Sequence, residues 1–123
     1  MINLYEAINN FKLGAHLRVF DNRVIITTLM FFRDYDESVA LYIEPTLEED
    51  VYIISDCHSV TDYWEVQDIN MKEYSEQIKK IGLNLEEKCF NMKIYATTED
   101  SLYASIWRFI EKIFLLANIT LLK

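Results

Sequence analysis

The chain contains very few residues that interrupt regular structure. Only two glycines, Gly14 and Gly82, and one proline, Pro45, occur among its 123 residues. Because Gly and Pro form turns and end helices and strands, their scarcity predicts short loops and mostly regular secondary structure. A chain of this length suits one domain with its own core, so we expect a single domain over residues 1–123.

Period-two alternation and β-branched residues predict strands in the first half of the chain. The residues Asp21-Asn22 between two of these segments form a turn that tolerates positive φ. Four of the segments indicate an antiparallel meander, and a fifth strand returns after a helical region. The predicted strands are His16–Phe20, Arg23–Phe31, Ser38–Glu44, Val51–Ser55 and Cys89–Ala96.

Helical spacing of apolar residues predicts helices on either side of the strands. Thr98 is expected to cap the last helix, with Glu99 and Asp100 at its positive N-terminal end. The predicted helices are Asn3–Leu13, Thr61–Asp68, Asn70–Ile81 and Glu99 to about Ile119. The expected fold class is α+β: an antiparallel sheet of about five strands, with helices packed on one face and a long C-terminal helix.

Negative charge is concentrated in the middle of the sequence. Residues 34–71 contain eleven acidic residues and no Lys or Arg, and the net charge of the whole chain is −8. Such a block repels nucleic acid and attracts positively charged partners. Three interpretations stay open: a solvated surface that confers solubility, a face that binds a protein partner with a basic surface, and a metal site.

The interpretation we develop is a non-catalytic protein-binding module that uses an acidic face as an inhibitor, a nucleic-acid mimic or a chaperone. Acidic side chains would attract the partner, and aromatic side chains would anchor it. We expect no cofactor and no direct contact with nucleic acid. The predicted partner-binding residues are Asp34, Asp36, Glu37, Glu48, Glu49, Asp50, Tyr63 and Trp64, with Tyr35 as a further aromatic anchor.

A second hypothesis is a metal-dependent hydrolase or a nuclease-like remnant. Asp56, His58 and Asp62 follow the fourth predicted strand, and strand ends often carry functional side chains. However, the acidic block has no Lys to assist nuclease chemistry, and the two His and two Cys of the chain lack the paired spacing of a zinc site. We therefore predict that the protein is not an enzyme.

The wide apolar face of the last helix leaves two interpretations open. Its residues and those after it either cover the core or form the interface of a homodimer. They are Trp107, Phe114, Leu116, Leu121 and Leu122. Charged residues interrupt this segment, so we do not expect it to span a membrane. The first residues lack the basic and apolar regions of a signal peptide, and we expect a cytoplasmic protein.

The strand sequences resemble a family of small bacterial and phage proteins known only as a domain of unknown function. The resemblance is carried by Val24–Leu29, by Arg33–Ile43 and by Tyr52–Asp56, where a strand ends in Ser-Asp. It implies a bacterial, phage or mobile-element origin and supplies no activity. The order of elements is also similar to that of the small acidic chaperones of bacterial secretion systems, which are dimers that hold an unfolded segment of another protein.

Overall fold

A six-stranded antiparallel sheet forms the frame of the molecule. The computed structural model describes residues 2–12 and 14–121. The strands lie in the order β1-β2-β3-β4-β6-β5, with bounds β1 Gly14–Phe20, β2 Arg23–Phe31, β3 Ser38–Pro45, β4 Val51–Ser55, β5 Asn84–Glu86 and β6 Cys89–Tyr95. The first four strands form the predicted meander, and the expected α+β class is confirmed.

Alternation along the strands places apolar side chains on one face of the sheet. Every second residue is buried from Val24 to Thr28 in β2 and from Val39 to Ile43 in β3. Paired residues of antiparallel strands share a face, and the pairing of β2 with β3 therefore joins the two rows. Fully burying one such aliphatic side chain contributes about 1.5–3 kcal/mol, so these rows fix which face the helices cover.

Four helices pack against this buried face or against each other. They are α1 Leu4–Phe11, α2 Ser59–Val66, α3 Ser75–Ile81 and α4 Glu99–Ala117. The ring of Trp64 in α2 lies 5.6 Å from that of Phe90 in β6. The Tyr103 hydroxyl of α4 donates to the Ala7 carbonyl of α1 at 2.8 Å, while α3 contacts α4. The predicted arrangement of helices on one face is therefore present.

Local sequence sets the helix ends. Thr98 Oγ1 accepts from Ser101 N at 3.1 Å, and Ser101 Oγ accepts from Thr98 N at 3.2 Å, which forms a reciprocal cap on α4. Gly82 ends α3 in the left-handed region, with φ of 82°, where a residue without Cβ meets no steric penalty. The predicted capping function of Thr98 is thus confirmed.

Several element boundaries differ from the predictions, and one strand was not predicted. Helix α2 spans Ser59–Val66 instead of the predicted Thr61–Asp68. The short strand β5 has only exposed residues, so no alternation marks it in the sequence. The helix predicted from Asn70 begins as a 3₁₀ turn over Met71–Tyr74 and becomes α-helical only at Ser75. The last helix ends at Ala117, and a separate 3₁₀ turn follows over Ile119–Leu121. Leu13 and Leu122, included in two of the predictions, lie outside the described residues.

Candidate functional site

Strand β3 divides the acidic block into two groups. Asp34, Asp36 and Glu37 precede the strand, whereas Glu48–Asp50 follow it. An eight-residue strand is about 25 Å long, so the two groups lie at opposite ends of β3. We call the first group, together with Asp62 of α2, the loop cluster, and Glu48–Asp50 the hairpin cluster. The acidic block is therefore divided between the two ends of β3, because an extended strand separates residues that are close in sequence.

Some carboxylates already have partners within the chain. Glu44 Oε2 lies 2.9 Å from Arg23 Nε. Asp34 Oδ2 lies 3.8 Å from Arg33 Nε in a pair that is largely exposed. Exposed pairs contribute little free energy because water screens them, so Asp34 remains available to another cation. Glu44, by contrast, is paired with Arg23 across two neighbouring strands of the sheet.

Two of the predicted aromatic anchors are core residues. Tyr63 is 6% exposed and Trp64 is 3% exposed. The Tyr63 hydroxyl donates to the Arg33 carbonyl at 2.8 Å, and Trp64 Nε1 donates to the Leu116 carbonyl at 3.0 Å. Their prediction as surface residues is wrong. The spacing of Val60, Tyr63 and Trp64 is that of one helix face, a signal in the sequence that indicated burial.

Tyr35, the third aromatic residue, lies beside the loop cluster. Its hydroxyl donates to Glu37 Oε2 at 3.1 Å, and its ring packs edge-on against Tyr63 at 5.3 Å. Burial raises the pKa of the Tyr35 phenol, as do the hydrogen bond to Glu37 and the negative charges of Glu37, Asp62 and Asp36. Three carboxylates of the loop cluster, those of Asp36, Glu37 and Asp62, therefore lie close enough to act on the same phenol.

A pocket of about 120 Å³ opens beside Tyr35. Because pockets for whole small-molecule ligands have volumes of about 300–1,000 Å³, this volume suits the end of one side chain rather than a whole cofactor. The described residues that line it include two acids and no Lys or Arg. We call it the Tyr35 pocket; its lining residues are Phe32, Tyr35, Glu37, Ser38, Val39, Ala40, Cys57, Ser59 and Asp62.

Asp56 is a buried residue at the start of the turn between β4 and α2. The residue is 0% exposed, and its carboxylate accepts from His58 N at 3.2 Å, Val60 N at 3.0 Å and Phe90 N at 2.9 Å. Burial raises the pKa of Asp56 to about 6, against the three N–H donors, which lower it. Asp56 thereby caps the start of α2 and ties it to β6.

The geometry gives no support to the hydrolase hypothesis. The Asp56 oxygens are occupied by backbone amides, whereas His58 and Asp62 are exposed. Within residues 2–12 and 14–121, no three His, Cys, Asp or Glu side chains are arranged to hold a metal ion. Burial, followed by the charge of Asp56, raises the pKa of the Cys57 thiol to about 12, so this thiol is protonated at neutral pH and is a poor nucleophile.

The apolar residues of the last helix divide between core and surface. Leu116 is buried, and Phe114 packs against the core. Trp107 and Leu121 are exposed, while Leu122 is not among the described residues. No described helix is both long and apolar enough to cross a membrane.

Comparison of the chain with family models, curated proteins and solved structures finds no match. The resemblance to a bacterial and phage family stays a prediction.

Proposed function

We propose that this chain is a protein-binding module that receives a Lys or Arg side chain of a basic partner in the Tyr35 pocket. Such a module would act in the cytoplasm of a bacterial or phage system, as an inhibitor, a nucleic-acid mimic or a chaperone. The observation that carries the proposal is a pocket of side-chain size with carboxylates of Glu37 and Asp62 in its wall.

The composition of the pocket favours a cation that carries an apolar stem. Glu37 and Asp62 supply negative charge, and Phe32 and Tyr35 supply aromatic surface. A cationic group gains from both carboxylates and aromatic faces. The long methylene chains of Lys and Arg pack on apolar surface while their charged ends reach polar groups, so these two side chains match the pocket better than a free inorganic cation does.

The surrounding charge favours encounter with a basic surface. Asp34 and Asp36 lie in the same loop as Glu37, and the chain as a whole carries a net charge of −8. Attraction between opposite potentials speeds association and falls as salt is added. The hairpin cluster at the other end of β3 adds to the overall field without contributing to the pocket.

A pair of charge-matched double variants tests the proposal. The probe is tetralysine amide, titrated by calorimetry at low ionic strength, with backbone amide shifts recorded to locate the binding. The pocket variant is Glu37→Gln with Asp62→Asn, and the control is Glu48→Gln with Glu49→Gln, which removes the same charge from the hairpin cluster. Two exposed ion pairs contribute up to about 1 kcal/mol each, so we expect roughly tenfold weaker binding by the pocket variant alone.

Equal weakening by the two double variants would show that tetralysine responds only to net charge. Amide shifts that map to Glu48–Asp50 rather than to Tyr35 would also contradict the proposal. A matched tetraglutamate probe serves as the negative control and is expected to leave the amide shifts near Tyr35 unchanged.

A further inference from the structure

Strand β1 is an edge of the sheet, with β2 on one side and no strand on the other among the described residues. The β1–β2 hairpin closes with Phe20 opposite Arg23 across a two-residue turn. Two-residue hairpins close on a hydrogen-bonded pair, and such pairs alternate along antiparallel strands. The backbone groups of Phe20 and Arg18 therefore face β2, whereas those of Leu17 and Val19 face outward.

A groove of about 620 Å³ runs between α1 and this edge. Its size lies within the usual range for ligand sites. Tyr5, Asn9 and Asn10 of α1 line one side, and His16 and Leu17 of β1 line the other. The outward backbone groups of β1 thus lie beside a wall of polar and aromatic side chains, and a segment added to the sheet edge would contact both.

Positive charge collects along this edge of an otherwise acidic protein. Lys12 lines the groove, and Arg18 follows on β1 with its side chain exposed. In the part of the chain that the structure describes, the ion pairs are formed by Arg23 and Arg33, so Lys12 and Arg18 are not engaged by a carboxylate. The edge is therefore locally basic and complements an acidic segment.

The same charges oppose pairing of β1 with a second copy of itself. Antiparallel pairing centred on Arg18 would place two guanidinium groups opposite each other. Like charges directly opposite on neighbouring strands are destabilising, so a different, acidic chain fits the edge better than a second copy does.

We propose that the β1 edge binds an extended, acidic segment of another protein as an added strand. Backbone groups of Leu17 and Val19 would pair with the segment. His16 and Arg18, two residues apart on one face of β1, would meet Asp or Glu at alternate positions of the segment. Lys12, at the end of α1, would add positive charge beside them. This surface is distinct from the Tyr35 pocket, has the opposite charge, and does not depend on the proposed function of that pocket.

The probe is a capped, fluorescein-labelled octapeptide of alternating Val and Glu, measured by fluorescence anisotropy at low salt. Val19→Pro removes an outward N–H, and a proline is compatible with an edge strand at such a position. Val19→Thr keeps both the N–H and β-branching and is the matched control. We expect at least tenfold weaker binding by Val19→Pro, unchanged binding by Val19→Thr, and several-fold weaker binding by Arg18→Glu.

A second probe leaves the protein unaltered, so it does not depend on whether the proline variant folds. The same octapeptide with N-methyl groups on its Val residues lacks the N–H groups that would face β1 when Glu lies opposite Arg18, and we expect it to bind at least tenfold more weakly. Equal binding of the methylated peptide, or equal binding of an alternating Val-Lys octapeptide, would overturn the proposal. A dimer mass in sedimentation that Val19→Pro converts to a monomer mass would overturn it too, because a second copy would then occupy the edge.

Discussion

Replacing Asp56 by Ala tests whether this buried carboxylate is a structural cap. The carboxylate accepts three backbone N–H groups, of which those of Val60 and Phe90 are fully buried. Alanine leaves these two donors without an acceptor, at about 1–3 kcal/mol each. Taking about 2 kcal/mol for each donor, we expect Asp56→Ala to lower the free energy of unfolding by about 4 kcal/mol at pH 5, where the native carboxyl is mostly protonated.

The loss is expected to be smaller at neutral pH. The pKa of Asp56 rises from 3.8 to about 6 on folding, so between these values the native state binds the proton more tightly than the unfolded state does. The stability that this group contributes is therefore complete below pH 3.8 and is lost as the pH rises through 6. Linkage with these two pKa values gives a decrease of about 1 kcal/mol between pH 5 and pH 7, which leaves a loss of about 3 kcal/mol for Asp56→Ala at pH 7.

Urea unfolding followed by tryptophan fluorescence at pH 5 and pH 7 provides the measurement, since Trp64 is buried next to the segment. Glu65→Ala is the control, because Glu65 is an exposed acid on the same helix, and its effect is expected to be small. A loss for Asp56→Ala that grows from pH 5 to pH 7 would refute the reasoning, because the N–H donors would then outweigh burial. A loss below about 1 kcal/mol at both pH values would show that water reaches the amides.

Two further substitutions test the packing that surrounds the sites. Trp64→Phe removes the donor to the Leu116 carbonyl and is expected to lower the free energy of unfolding by about 1–3 kcal/mol. The measurement is urea unfolding followed by circular dichroism. The control, Trp107→Phe at a half-exposed position, should lower the free energy of unfolding much less. Gly82→Ala places a Cβ at φ of 82° and is expected to lower the free energy of unfolding by about 1 kcal/mol, measured by thermal unfolding. Gly82→Asn should lower it less, because Asn tolerates this conformation. Equal losses for the two variants would contradict a conformational origin.

The strands that pack against the helices could be predicted because each has a buried face. Burial on one face requires alternation, and alternation is visible in residues such as Val24 to Thr28. Strand β5 has no buried residue, so its pairing with β6 leaves no pattern in the sequence. The apolar residues of the 3₁₀ turn before α3 are spaced as in the first turn of an α-helix. Only the backbone geometry distinguishes the two kinds of turn.

The candidate site was harder to predict because distance along the chain is not distance in space. Asp36 and Glu48 belong to one acidic block in the sequence, but β3 carries them to opposite ends of the sheet. Asp62, more than twenty residues after Glu37, lines the same pocket. Residue type alone led to the wrong assignment of Tyr63, because an aromatic residue anchors a partner only when it lies on the surface. The helical spacing of Tyr63 with Val60 indicated that it is buried.

Asp56 shows why a residue's chemistry alone does not assign its function. Asp56 is an acidic residue between Ser55 and Cys57 at the end of a strand. Its residue type and position are those expected of a metal ligand. Its function depends on the approach of Phe90, which comes from the pairing of β4 with β6, and no local pattern reveals that pairing. Because the same carboxylate fixes the start of α2, and α2 carries Asp62 into the Tyr35 pocket, the cap and the proposed binding site are mechanically linked. A substitution at Asp56 should therefore weaken tetralysine binding even under conditions in which the protein remains folded, whereas Glu65→Ala, on the same helix, should not.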